Sequence, residues 1–209
     1  MLKEKLKKSF VGDFWTYLHS LKSRYVQKFV IPPYTEKRKI LNFYKEKYQL
    51  KTFVETGTFF GDTVEYFKPH FSKIVSIELS KDLADKAARR FEKDAHISII
   101  QGDSSIVLKE LVAGFKDPVL FWLDGHYSSE FYLNGEYIVT AKGEKETPIE
   151  KELEIILHAA PKHIVLIDDA RLFNGKMDYP SLSALKKSVQ LLRPGSSIEV
   201  KRDIIRITI

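Results

Sequence analysis

The sequence predicts an α/β fold with a doubly wound, mostly parallel sheet of seven strands, an antiparallel C-terminal hairpin and an N-terminal helical extension. Five short apolar runs alternate with helical patterns along the chain, and each run ends in an acidic residue. Short apolar runs between helical patterns are typical of buried parallel strands. Near the C-terminus, residues 197–201 and 204–209 alternate in polarity around Arg202-Asp203. This alternation predicts the antiparallel hairpin.

The composition is that of a folded globular protein. The 209 residues are 44% hydrophobic and 12% aromatic, and none is a cysteine. Disulfides, thiolate nucleophiles and cysteine-ligated metals are therefore excluded. No apolar run reaches the roughly 18 residues of a transmembrane helix, and the N-terminus lacks the apolar region of a signal peptide, so we expect a soluble, cytoplasmic protein.

Residues 1–48 are predicted to be a basic helical extension, and residues 49–209 the sheet domain. The first 50 residues hold twelve Lys and Arg against four Asp and Glu, although the net charge of the whole chain is only +6. Apolar residues at helical spacing from Leu2 to Phe29 predict one or two amphipathic helices. Two interpretations of them stay open: packing on the domain or on a dimer partner, or a peripheral contact with a membrane surface. A further helix is predicted from Thr35 to Tyr48.

The five predicted parallel strands end, in order, at Glu55, Glu78, Asp103, Asp124 and the pair Asp168-Asp169. Ligands of such sheets bind outside the carboxyl ends of the strands, so these acids predict one common site. Five helices are predicted between and after these strands. One ends before Pro69, one is capped by Ser80, one follows Asp103, one runs from a capping box at 147–150 to about Ala159, and one runs from about Ser181 to Leu192.

Residues 128–147 interrupt this alternation. Two short apolar segments flank Asn134-Gly135, which is the strongest short signal for a β-hairpin. The insertion follows the fourth strand at its ligand end. It is therefore predicted to be a lid or a substrate-binding element.

A glycine turn, E-T-G-T-F-F-G-D-T at residues 55–63, follows the first strand. Gly57 permits a tight turn and a close approach of a ligand, and Gly61 permits close packing of helix and strand. Neither the G-x-G-x-x-G dinucleotide fingerprint nor a P-loop is present. Glu78 is placed to accept hydrogen bonds from two ribose hydroxyls, and Asp103 to reach the exocyclic amine of a purine.

On these residues the chain resembles the class I S-adenosylmethionine-dependent methyltransferases, which have a Rossmann-like fold. The resemblance rests on the glycine turn, on Ile77-Glu78, on Gly102-Asp103-Ser104 and on the terminal hairpin. It implies S-adenosylmethionine as the methyl donor. The donor contacts that it implies are the methionine portion at Glu55 and Gly57, the ribose at Glu78, the adenine at Asp103 and Ser104, and further contacts at Thr58, Gly61, Asp62, Thr63, Leu79 and Asp124.

The last two strand ends predict a candidate metal site. Asp124, Asp168 and Asp169 offer the oxygen ligands that Mg²⁺ prefers, and a bound metal ion would lower the pKa of an acceptor hydroxyl. The arrangement is similar to that of metal-dependent O-methyltransferases of the catechol and macrocin types. In the alternative interpretation, Asp168-Asp169 caps a turn and pairs with Arg171.

Two further residues are candidates for the chemistry. His126 is interpreted as a general base, a metal ligand or a residue lining the acceptor pocket. Lys142, on the insertion, is interpreted as a base, an anion contact or a solvated loop lysine. With Asp124, these residues form the predicted catalytic set.

The predicted function is O-methylation of a small hydroxylated acceptor, such as a sugar or glycan precursor, with S-adenosylmethionine as co-substrate and Mg²⁺ as a candidate cofactor. A nucleotide-dependent oxidoreductase is the first alternative, and the missing glycine fingerprint argues against it. A nucleic-acid-directed methyltransferase or binding protein is the second. The basic charge lies on the extension rather than beside the site, so we expect no nucleic-acid partner.

Overall fold

The computed structural model describes residues 28–125, 130–133, 136–141, 143, 145 and 147–209, with the backbone alone for 130–133 and 136–139. The helices predicted within residues 2–27 lie outside the described residues. The same holds for the candidate residues His126 and Lys142.

The described residues contain nine strands: β1 Thr52–Thr56, β2 Lys73–Glu78, β3 Ile97–Gln101, β4 Leu120–Leu123, β5 Glu130–Leu133, β6 Glu136–Val139, β7 Ile164–Ile167, β8 Ser197–Lys201 and β9 Ile204–Thr208. Seven of them form one sheet in the order β3-β2-β1-β4-β7-β9-β8. Strands β1 to β4 and β7 are parallel, whereas β9 is antiparallel to β7 and to β8. The predicted fold class is confirmed.

The helices lie between the strands, close to where the sequence predicts them. Their bounds are α1 Tyr34–Lys47, α2 Asp62–Phe67, α3 Lys81–Arg90, α4 Ser104–Ala113, α5 Ile149–His158 and α6 Leu182–Leu192, with a 3₁₀ turn at Ala170–Leu172. Ser181 caps α6 by accepting a hydrogen bond from the Ala184 amide at 3.1 Å.

The predicted capping box at the start of α5 is not formed. Pro148 takes the N-cap position and has no side-chain acceptor, so the helix begins at Ile149. Thr147 Oγ1 accepts a hydrogen bond from the Ile149 amide at 3.4 Å. Similarly, Ser80 is the N-cap residue of α3 but makes no side-chain capping bond.

Apolar clusters cover both faces of the sheet because neighbouring strand residues point to opposite faces. Phe53 of β1 packs with α2 on one face, and Val54 packs with α4, α5 and α6 on the other. Helix α1 belongs to the Phe53 face, where its residues Leu41 and Tyr44 are buried. The helix that the sequence assigns to the extension is therefore part of the core, and the division at residue 48 stays a prediction.

Two hairpins complete the described chain. Strands β5 Glu130–Leu133 and β6 Glu136–Val139 pair antiparallel, as predicted, with Glu130 opposite Val139. The turn between β8 and β9 has positive φ at Arg202 and Asp203, 51° and 57°, which is the geometry of a type I′ hairpin turn.

None of the helices in the described part of the chain has the length and hydrophobicity needed to span a bilayer.

Candidate active site

A cavity of about 420 Å³ opens at the carboxyl ends of the central strands. This volume lies in the range of small-molecule sites. Eight of the predicted site residues line it: Gly57, Glu78, Leu79, Asp103, Ser104, Asp124, Asp168 and Asp169. The structure therefore brings the acidic ends of β2, β3, β4 and β7 together around one space, as the sequence predicts.

Gly57 is the first residue of the turn after β1. Its φ is +86°, and its amide donates a hydrogen bond to the Ile77 carbonyl at 2.9 Å. A Cβ atom at this position would lie 2.6 Å from the backbone oxygen of Asp124. Both the backbone angle and this close approach require glycine.

Two backbone amides hold the carboxylate of Glu78 in a fixed orientation. Its Oε2 accepts a hydrogen bond from the Phe59 amide at 2.8 Å, and its Oε1 accepts one from the Ser80 amide at 2.9 Å. A carboxylate has about four acceptor positions. The remaining positions on Glu78 suit a ligand with paired hydroxyl groups.

Asp103 is the N-cap residue of α4, and hydrogen bonds from Ser105 fix its side chain. Its Oδ1 accepts hydrogen bonds from the Ser105 amide at 2.8 Å and from Ser105 Oγ at 2.7 Å. Ser104 and Ser105 line the cavity beside it. Ser105 is not among the residues predicted from the sequence, although an N-cap aspartate commonly accepts a hydrogen bond from the backbone amide two residues later.

Five other residues predicted to bind the donor do not line the cavity: Glu55, Thr58, Gly61, Asp62 and Thr63. Glu55 lies beneath the turn, 2% exposed, and accepts a hydrogen bond from Ser76 Oγ at 2.7 Å. Burial raises its pKa to about 8, against hydrogen bonds from Ser76 and Thr63. The alternation of β1 places this carboxyl group inside the sheet domain rather than at the cavity wall.

The others of this group support the turn or lie at the surface. Thr58 Oγ1 hydrogen-bonds to Ser76 Oγ at 2.6 Å. A Cβ atom at Gly61 would lie 2.7 Å from the Phe91 ring, so this glycine permits close packing against the end of α3 rather than the predicted packing of helix and strand. Asp62 pairs with Arg90 at 2.7 Å. Direct contact of these residues with a donor stays a prediction.

At the far side of the cavity, basic side chains pair with both members of the Asp168-Asp169 motif. The Lys37 ammonium group forms an ion pair with Asp168 Oδ2. Arg171 Nη1 lies 2.6 Å from Asp169 Oδ1 and also pairs with Asp203. The pairing of Asp169 with Arg171 corresponds to the alternative interpretation of this motif.

The three aspartates do not fit a metal ion in this arrangement. Their oxygens are ligands that Mg²⁺ prefers, but the described residues contain no group of three acidic or histidine side chains positioned to hold an ion. Burial, Asp124 and Asp169 raise the pKa of Asp168 to about 7, while Lys37 opposes this shift. The carboxyl group of Asp168, whose negative charge a metal ion would balance, instead pairs with Lys37.

Lys37 and Tyr34 of α1 also line the cavity, although neither is among the site residues predicted from the sequence. A signal for Lys37 is present in its spacing: Lys37, Leu41 and Tyr44 fall at i, i+4 and i+7, on one face of the helix. A lysine on the same face as two core residues is placed towards the domain rather than towards solvent.

Solved methyltransferases share this fold. An O-methyltransferase from Bacillus cereus, in complex with S-adenosylhomocysteine, is 14% identical with a TM-score of 0.54 over 92% of this chain and 88% of that one. A methyltransferase of Podospora anserina, bound to S-adenosylhomocysteine, is 18% identical with a TM-score of 0.52 over 82% and 76% of the two chains. The O-methyltransferase TomG from Streptomyces achromogenes, in complex with S-adenosylmethionine, is 16% identical with a TM-score of 0.51 over 86% and 81%.

The chain thus has the fold of the class I S-adenosylmethionine-dependent methyltransferases, as its sequence motifs imply. At these identities the likeness concerns the fold. Neither a protein-family model nor a curated protein matches the sequence.

Proposed function

We propose that the protein is an S-adenosylmethionine-dependent O-methyltransferase that acts on a small hydroxylated acceptor, such as a sugar or glycan precursor. The observation that carries this proposal is the cavity wall formed by Gly57, Glu78 and Asp103. These residues offer a glycine turn, an oriented carboxylate and a capped aspartate, each at the carboxyl end of a parallel strand.

Each of these groups suits one part of the donor. The turn at Gly57 suits the methionine portion, the Glu78 carboxylate suits the ribose hydroxyls, and Asp103 with Ser104 suits the adenine. S-Adenosylmethionine supplies a methyl group bound to a sulfonium sulfur. The acceptor oxygen bonds to the methyl carbon as the carbon–sulfur bond breaks, the electron pair of that bond stays on sulfur, and the hydroxyl proton passes to a base or to water. The protein therefore has mainly to align the two substrates, with reacting atoms about 3 Å apart.

Asp124 joins the two halves of this site. It follows β4, its backbone packs against Gly57, and it shares the cavity wall with Asp168 and Asp169. We place the acceptor on the side of these three aspartates. The inserted segment contributes Thr140, Ala141, Gly143 and Lys145 to the cavity lining, which supports its role as a substrate-binding element.

Calorimetric titration tests the proposal. S-Adenosylmethionine and S-adenosylhomocysteine are expected to bind the purified protein, and NAD is not. The E78A variant is expected to bind S-adenosylhomocysteine at least about tenfold more weakly, because the loss of bonds to a charged group costs about 1.5–3 kcal/mol.

The matched control is E110A, which removes an exposed glutamate of α4. Its affinity for S-adenosylhomocysteine is expected to equal that of the wild type. Binding of NAD in place of S-adenosylhomocysteine would favour the oxidoreductase. Equal binding by wild type and E78A would show that the donor does not occupy this cavity.

A cytoplasmic location and the catalytic roles of His126 and Lys142 stay predictions.

A further inference from the structure

One lysine faces three carboxylates at the acceptor side of the cavity. Lys37 and Asp168 form an ion pair whose side chains are only 12% and 3% exposed. Asp124 and Asp169 line the same cavity. The ammonium group of Lys37 therefore places a positive charge among three carboxyl groups.

The packing of α1 fixes the position of this charge. Leu41 and Tyr44, on the same helix face as Lys37, are buried in the cluster that contains Phe53 and Phe67. Two polar contacts hold the start of the helix, since Arg38 donates to the Asp62 carbonyl at 3.0 Å and Glu36 pairs with Arg202 at 2.5 Å. The fold thus fixes the position of the ammonium group. A surface lysine, in contrast, loses side-chain entropy when it forms an ion pair.

The ion pair also has unused hydrogen-bonding capacity. An ammonium group donates up to three hydrogen bonds, and within the described residues the Lys37 ammonium donates only to Asp168. Asp168 Oδ1 is buried and has no hydrogen-bond partner there. A hydroxyl oxygen in the cavity, which Lys37 lines, would accept a further hydrogen bond from its ammonium group.

We propose that Lys37 takes the place of a divalent metal ion in this site, so that its ammonium group balances the aspartates and orients the acceptor hydroxyl without a bound metal. This inference rests on the proposed function, which places the acceptor on this side. A divalent ion bound to Asp168 would lie close to the ammonium group of Lys37, and the two cations would repel each other. The three aspartates that predict a metal site from the sequence thus surround the side chain of Lys37 instead.

Binding of Mn²⁺ alone, followed by electron paramagnetic resonance, tests this inference on the full-length protein. The set comprises the wild type, K37A, D168N and the double variant K37A/D168N. K39A is the matched control, because it removes an exposed lysine from the same helix. Circular dichroism checks that each variant is folded, and K37M replaces K37A if the alanine variant is not.

The wild type and K39A are expected to show no Mn²⁺ binding that depends on Asp168. K37A is expected to bind Mn²⁺ more than about tenfold more tightly than the wild type, because Asp168 loses the ammonium group with which it pairs. The K37A/D168N variant is expected to lose this gain. Mn²⁺ binding by the wild type that D168N abolishes would overturn the proposal, and so would a K37A protein with no gain in Mn²⁺ affinity.

Titration with S-adenosylhomocysteine separates this inference from the proposed function. The wild type, K37A and K39A are expected to bind S-adenosylhomocysteine with the same affinity within about threefold, since Lys37 lies on the acceptor side. If none of them binds it, the proposed function fails, while the Mn²⁺ measurements still decide the role of Lys37. If K37A alone loses this binding, Lys37 belongs to the donor site and the proposal is wrong.

Discussion

Glu55 makes the stability of the protein depend on pH in a direction that can be worked out from its surroundings. Its folded-state pKa of about 8 lies above the ordinary glutamate value of 4.5 because the carboxyl group is buried. Between these two values the folded state holds a proton that the unfolded state releases. The free energy of unfolding therefore falls as pH rises from about 4.5 to about 8.

The substitution E55Q removes this dependence while keeping the size of the side chain. Each unit of pKa difference corresponds to about 1.4 kcal/mol, so the contribution of Glu55 changes by about 2–3 kcal/mol between pH 5 and pH 7. We expect E55Q to gain about that much free energy of unfolding relative to the wild type over this interval. Taking the difference between the two proteins cancels the contributions of the other ionisable groups.

Urea denaturation at pH 5, 6 and 7 measures the effect. The control E110Q changes an exposed glutamate and is expected to follow the wild type at every pH. If the stability of E55Q and of the wild type changed with pH in parallel, Glu55 would ionise in the folded protein as it does in the unfolded chain, and burial would not raise its pKa.

Two further substitutions test the same physical account. In G57A, a Cβ atom would lie 2.6 Å from the Asp124 carbonyl oxygen; we expect a loss of about 1–3 kcal/mol in stability and at least about tenfold weaker binding of S-adenosylhomocysteine in calorimetry. The control G195A places alanine at a similar φ of +88° with no atom within 4 Å, so it should lose stability but not binding, and equal binding losses in both variants would contradict the role of Gly57. Burial raises the pKa of Glu152 to about 7, so E152Q should gain about 2 kcal/mol relative to the wild type between pH 5 and pH 7 in urea denaturation, and an unchanged difference would show that Glu152 stays ionised.

The strand ends could be predicted from the sequence because their pattern is local. An apolar run that ends in an acidic residue signals both a buried strand and the edge at which it stops. Glu78, Asp103, Asp124 and Asp168 therefore reach the cavity as expected. Glu55 ends the same kind of run, but one residue of alternation decides whether a side chain faces the cavity or the interior, and the pattern alone does not fix that choice.

The role of Lys37 could not be predicted in the same way, because it depends on a contact between distant parts of the chain. Lys37 lies 131 residues before Asp168 in sequence. The three aspartates viewed alone suggest a metal ion, and only the position of α1 on the sheet shows which cation balances them. The helical spacing with Leu41 and Tyr44 contained part of this information, but not where the helix packs.

A crystal structure of the protein grown with S-adenosylhomocysteine tests the assignment of this cavity to the methyl donor most directly. We expect that the ribose hydroxyls hydrogen-bond to Glu78, that the adenine lies beside Asp103, and that the homocysteine portion follows the turn at Gly57. A ligand bound elsewhere, or a cavity that stays empty at saturating S-adenosylhomocysteine, would contradict the assignment of this site to a methyl donor.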